Sequence, residues 1–318
     1  MTRPPGLSTN RVALNGHFAD RYVEAARQLK NPLCVGLDPH LERIPAEFGV
    51  RLDALASEQS ADGVQACFET VIDLCAGRVP VIKPQIAFFE QLGWRGLRAL
   101  ERLVGRARAH GLLVILDAKR GDLASTAQAY AQSYLYPDSP CRADAITLSP
   151  YLGLDSLQPF VDAARTQGTG LFVLARTSNP GAADFQNLDV DGAPLYERVA
   201  RALAPVAEGL RGATGWSSLC VVAGATYPAE AVRLRSVLPH SLFLVPGYGA
   251  QGAPVADALA SFVRGPKGLE GGMVNSSRGV LFGSGPAIHS IRDWRAGVEQ
   301  RLDAALAELS SAVAQPAG

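Results

Sequence analysis

Eight short apolar runs punctuate the chain: LCVGL (33–37), VPVIK (79–83), LLVILDA (112–118), DAITL (144–148), GLFVLA (170–175), SLCVVA (218–223), LFLV (242–245) and GMVNS (272–276). Each is nearly continuous in its apolar character, the pattern of parallel strands covered on both faces. Longer stretches of helical period separate them, among them 86–110, 154–167 and 194–210. Eight strand-then-helix units predict an α/β fold of one kind, a closed (β/α)8 or TIM barrel occupying the whole chain, 1–318, as a single domain. The segment from Ile44 to Gly77 is longer than one crossover needs and predicts an extra turn or helix ahead of a helix starting near Gly63. A leader of about 15 residues precedes the pattern, and a last helix from about residue 288 frays into a loose tail ending at 318.

In a barrel of this kind chemistry gathers where the strands end. There the apolar runs give way to charge: the first ends in Asp38, the second in Lys83, and the third, VILDAKRGDLAST, in Asp117 and Lys119, with Asp122 in the following loop. Side chains two apart on a strand share a face, so Asp117 and Lys119 point together and, if that face is the barrel interior, meet Lys83. An isolated buried charge shifts toward neutrality, whereas an alternating array lets every member stay ionised. A salt-bridge cluster that merely closes the barrel mouth is the architectural alternative. Composition favours chemistry, because the chain carries 26 arginines and only four lysines, at 30, 83, 119 and 267. Arginine keeps its proton at neutral pH; lysine can act as an acid or base.

The last two strands lead into VPGYGAQGA and MVNSSRGVLF. Loops at these positions are the usual phosphate cradle of the fold. Gly247, Gly249 and Gly252 allow close backbone approach, Gln251 adds an amide donor, and Arg278 beside Ser277 supplies a forked cation. GYGAQG also fits the dinucleotide fingerprint, but it follows the seventh strand instead of opening the first unit, and no acid ends the next strand. In ARTSNPGAADF, Ser178 lies in a Ser-Asn-Pro-Gly turn and reads equally as turn chemistry or as a hydrogen-bonding lid over a polar heterocycle.

Charge is balanced at 30 basic and 30 acidic residues, which gives no footprint for nucleic acid or an anionic membrane. Five scattered cysteines without a C-x-x-C predict reduced, buried thiols, and five histidines show no paired metal spacing. His40, the one histidine beside a strand end, is read as solvent-facing. The opening residues lack the apolar core of a signal peptide, so a cytoplasmic chain is expected.

Together, GLDP at Asp38, Lys83, D-A-K-R-G-D followed by Thr126, TSNPGA, PGYGAQG and NSSRG resemble the orotidine 5′-phosphate decarboxylase family in its longer bacterial branch, in order from about Phe18 to Phe282. The resemblance implies a (β/α)8 homodimer that converts orotidine 5′-monophosphate to uridine 5′-monophosphate and carbon dioxide with neither metal nor organic cofactor. It also implies that Lys83, Asp117, Lys119 and Asp122 form a charged tetrad, with Asp122 and Thr126 reaching into the partner subunit's site. Asp38 and Lys83 would hold ribose hydroxyls, Ser178 the pyrimidine, and Gln251 with Arg278 the phosphate. The chain departs from compact members in the long segment after strand one, and from the expected Asn at Ser149. Two other readings share parts of this skeleton: a magnesium-dependent sugar-phosphate decarboxylase or aldolase on the same barrel, which wants an acid near the end of strand two, and a catalytically silent nucleotide-binding barrel.

Overall fold

The computed structural model describes residues 16–249, 253–285 and 290–314; the expected leader, the end of the tail, Gln251 and Gly252 lie outside them. Eight strands close into one parallel barrel: β1 (Leu33–Leu37), β2 (Val81–Pro84), β3 (Leu113–Arg120), β4 (Ala145–Leu148), β5 (Gly170–Arg176), β6 (Ser217–Ala223), β7 (Ser241–Pro246) and β8 (Gly272–Ser276). β8 returns to β1 with Leu33 opposite Val274 and Cys34 opposite Asn275. All eight apolar runs are therefore barrel strands.

The helices are α1 (Phe18–Leu29), α2 (Glu58–Cys75), α3 (Gly93–Ala109), α4 (Ala124–Leu135), α5 (Gln158–Gln167), α6 (Leu195–Glu208), α7 (Pro228–Val237) and α8 (Ile291–Ala314). α2 begins earlier than expected because Ser57 caps it, accepting the Ser60 N–H at 3.1 Å. The predicted helix 86–110 divides into a turn at Ala87–Glu90 and α3, broken where Gly93 takes φ +66°. The crossover after β7 holds a single helical turn, Val255–Ala258, and a short hairpin, Val263–Gly265 with Gly268–Glu270, and a single turn, Arg278–Leu281, separates β8 from α8. No helix among the described residues is long and apolar enough to cross a membrane. All five cysteines are unpaired, and four of them are buried.

Strand alternation divides the core. Leu33, Val35, Val114 and Leu116 face the helices in one cluster, while Cys34, Val81, Ile115, Phe172 and Met273 fill the barrel interior in another. α1 closes the amino-terminal end of the barrel. The Phe18 ring meets Phe172 edge to face at 5.7 Å, in space that exists because residue 170 is glycine; a Cβ there would stand 2.4 Å from the Phe18 ring. The Tyr22 hydroxyl donates to the Gly272 carbonyl at 2.7 Å, and Arg21 donates to Asp144 at 2.8 Å. The other Asp144 oxygen accepts the Val114 N–H at 2.9 Å. The interior is thus filled from below, with Arg21–Asp144 as a closed polar pair, and the opposite end is the open one.

Candidate active site

On β2 and β3 the inward positions read apolar and then charged: Val81 then Lys83, and Ile115 then Asp117. Asp117 sits between two ammonium groups. Its Oδ2 accepts from Lys83 Nζ at 2.7 Å and its Oδ1 from Lys119 Nζ at 2.6 Å. Lys83 is buried and Lys119 is not; the Lys119 side chain keeps 48% of its surface exposed. Burial opposes charge on Asp117, yet the adjacent ammonium groups of Lys83 and Lys119 outweigh it and hold the carboxyl well below its usual range. Burial likewise opposes charge on Lys83, and Asp117 with Asp38 more than offsets it, raising the ammonium above its ordinary value. The Asp117 charge therefore adds stability above the ordinary carboxylate range, lost only as pH falls through its depressed pKa. The Lys83 charge adds stability below the ordinary ammonium range, lost only as pH rises through its raised pKa.

Regular pleating is not what brings Lys119 to Asp117. Lys119 takes φ +48°, and the pairing of β3 with β4 shifts register between Leu116 and Arg120. A left-handed lysine is costly and persists only where its surroundings enforce it. Thr147, on β4, does so. Its hydroxyl accepts the N–H groups of Ala118 and Lys119 at 2.9 and 2.8 Å and lies 2.9 Å from Asp117 Oδ1, to which it donates. Sequence reasoning missed Thr147, because a β-branched residue inside DAITL reads as an ordinary strand former.

Asp38, just past the end of β1, and Asn275, on β8, stand at the mouth, and one buried side-chain oxygen of each has no hydrogen-bond partner among the described residues. Buried acceptors in that state are exceptional and mark places where a ligand can bond. Asn275 was also missed, although its spacing of two from the inward Met273 signals it. Gly249 and Arg278 meet at one open cavity of about 540 Å³, lined also by His40, Arg43 and Phe282. Gly247 and Gly249 adopt φ +110° and +76°, backbone that favours glycine. The Ser277 side chain packs on β1 instead, where a Cβ on Gly36 would lie 2.6 Å from it.

Ser178 leans on the end of β6, with its Cβ 2.8 Å from where a Gly224 Cβ would stand. Its loop is anchored by buried Arg176, which pairs with Glu230, and by Gln186, which accepts the Thr177 N–H at 2.9 Å. Asp122 does not join the other three charges within the chain; its carboxylate accepts the Leu123 N–H at 2.8 Å, and Thr126 is exposed on α4. His40 bears out the sequence reading only in part. Its side chain keeps 28% of its surface exposed at the open cavity, as expected, but the ring also packs edge-on to Phe88 at 4.8 Å and to Phe282 at 6.0 Å.

The family model described as orotidine 5′-phosphate decarboxylase / HUMPS family matches residues 31–287, the stretch from just before β1 to beyond the turn that carries Arg278. The chain belongs to this family. An orotidine 5′-phosphate decarboxylase of Rhodopirellula baltica is 44% identical over 273 residues, covering 83% of this chain and 88% of the relative. Its counterpart from Streptomyces coelicolor is 43% identical over 276 residues, covering 85% and 91%. Among solved structures, a candidate orotidine 5′-phosphate decarboxylase of Streptomyces avermitilis matches with a TM-score of 0.75 at 37% identity, covering 98% of this chain and 100% of that one. The aligned region contains every strand that contributes to the charged mouth.

Proposed function

We propose that this chain decarboxylates orotidine 5′-monophosphate to uridine 5′-monophosphate and carbon dioxide, a carboxy-lyase step of pyrimidine biosynthesis in the cytoplasm. The observation that carries the reading is a single carboxylate, Asp117, held at 2.6 and 2.7 Å by two lysine ammonium groups at the open end of the barrel. Breaking the bond from C6 to the carboxylate leaves its electron pair on C6, orthogonal to the ring π-system, where delocalisation cannot spread it. Fixed charge is then the available stabiliser. Asp117 lies against the substrate carboxylate and disfavours it, while Lys119 attracts the developing carbanion and transfers its proton to C6. Lys119 is the half-exposed member of the array, so solvent can restore that proton. The step as proposed draws on no metal and no organic cofactor.

Lys83 and Asp38 hold the ribose hydroxyls, Ser178 the pyrimidine, and Gly247, Gly249, Gln251, Gly252, Ser277 and Arg278 form the phosphate loop. Phosphate binding is remote from the bond that breaks, and its free energy serves to close the loops over the base. A homodimer completes the site, with Asp122 and Thr126 serving the partner subunit. Supporting this, Asp122 stands apart from its own chain's lysines, and Leu123, Tyr151, Leu152 and Leu154 expose apolar surface on the adjoining loops after β3 and β4. The magnesium-dependent sugar-phosphate reading needs an acid where Lys83 stands. The test is loss of orotidine 5′-monophosphate absorbance on adding purified protein, with EDTA present and absent. Turnover indifferent to EDTA supports the proposal; no turnover, or turnover abolished by EDTA, defeats it.

A further inference from the structure

The two loops that form the phosphate cradle are both fastened to α8. In the first, Gly247 and Gly249 flank Tyr248, a backbone with little stiffness of its own. Tyr248 is buried, and its hydroxyl donates to Glu308 Oε2 of α8 at 2.5 Å. In the second, Arg301 of α8 donates to the carbonyls of Val280 and Leu281, both at 2.9 Å. Those carbonyls end the single helical turn that begins at Arg278. Arg301 and Glu308 are two helical turns apart, so they lie on one face of α8. That face borders a cavity of about 340 Å³ shared with Gly249, Ser276 and Gly279. Burial, the Glu308 hydrogen bond and the Glu308 charge all push the Tyr248 phenol up, so it keeps its proton for the bond across the neutral range.

We infer that α8 is a positioning element for phosphate recognition: through Glu308 with Tyr248, and Arg301 with the 280–281 carbonyls, it holds the two loops in the one register that lets Gly249 and Arg278 meet the same phosphate. This rests on the reading of those loops as the phosphate cradle. Tyr248 and Glu308 touch no substrate atom in this scheme; they act through the loop.

The experiment compares orotidine 5′-monophosphate with orotidine, which lacks the phosphate, as substrates for the unsubstituted protein and for Tyr248→Phe, Glu308→Ala and Glu308→Gln. Tyr248→Phe keeps the ring and loses the hydroxyl. It is expected to raise KM for the phosphorylated substrate about tenfold, the scale of one hydrogen bond to a charged acceptor, with kcat little changed. Orotidine turnover is expected to stay as it was. Glu308→Ala should match Tyr248→Phe, whereas Glu308→Gln, whose amide oxygen still accepts the hydroxyl, should restore KM. Equal losses on both substrates would mean a merely structural contact and overturn the inference. So would an unmoved KM in both Tyr248→Phe and Glu308→Ala. A protein that treats the two substrates alike before any substitution refutes the phosphate cradle itself and the inference with it; one that prefers the phosphate yet ignores Tyr248→Phe refutes the α8 latch alone.

Discussion

Each end of the barrel holds a buried aspartate paired with cations, and the two pairs are built for different ends. At the amino-terminal end Asp144 has one cation, Arg21, and its second oxygen is taken by the Val114 N–H, all beneath the Phe18 and Tyr22 plug. At the carboxyl end Asp117 has two cations, both lysines, and one of them is half exposed. A guanidinium keeps its proton and fixes geometry; an ammonium can surrender one. The lower pair is built to hold the fold, and the upper array is equipped for the proton transfer proposed above. The contrast teaches that burial and charge pairing do not identify an active site. What distinguishes the carboxyl end is a lysine proton that can be transferred and that solvent can reach.

Four substitutions break or sharpen this comparison. Removing the proposed proton donor has the largest expected effect: Lys119→Ala should lower kcat about 10⁴-fold, the upper range for a positioned general acid, while uridine 5′-monophosphate still binds in a titration. Next, Arg21→Met at the other end leaves Asp144 buried without its cation and should cost about 3–5 kcal/mol of stability in a urea titration, with kcat of the folded protein unaltered. A loss of turnover in proportion to stability at both ends would erase the distinction. Arg278→Ala should reduce kcat/KM about a hundredfold for the phosphorylated substrate, measured by initial rates. Smallest, Thr147→Val keeps the shape but drops the hydroxyl that holds the left-handed Lys119. It should lower kcat about tenfold and stability by about 1 kcal/mol, checked by pairing kinetics with thermal unfolding.

The barrel was legible because parallel strands buried on both faces leave eight unbroken apolar runs, and Lys83 with Asp117 was legible because both end such runs. Their meeting with Lys119 was legible too, but not its route: alternation predicts a straight strand, and the structure uses a positive φ that no pattern of residue types announces. α1 was missed although Phe18, Tyr22, Ala26 and Leu29 repeat at helical spacing, because the segment precedes the first strand and belongs to no strand–helix unit. The small hairpin at residues 189–194 carries a readable Asp191-Gly192 turn, with both residues at positive φ, and was passed over inside a long loop. Thr147 was hidden by its propensity: in a strand, a threonine that orients a charged array and one that merely packs are the same letter.

The seam where β8 closes on β1 joins residues about 240 positions apart in the chain, Leu33 with Val274 among them. Pairings this distant are the slowest for a chain to find. Asp38 lies on one side of the seam, Asn275 and Arg278 on the other. During synthesis the ribosome must therefore release nearly the whole polypeptide before the two rims can face each other, and prematurely terminated fragments carry the lysines and aspartates of the array without a vessel to hold them.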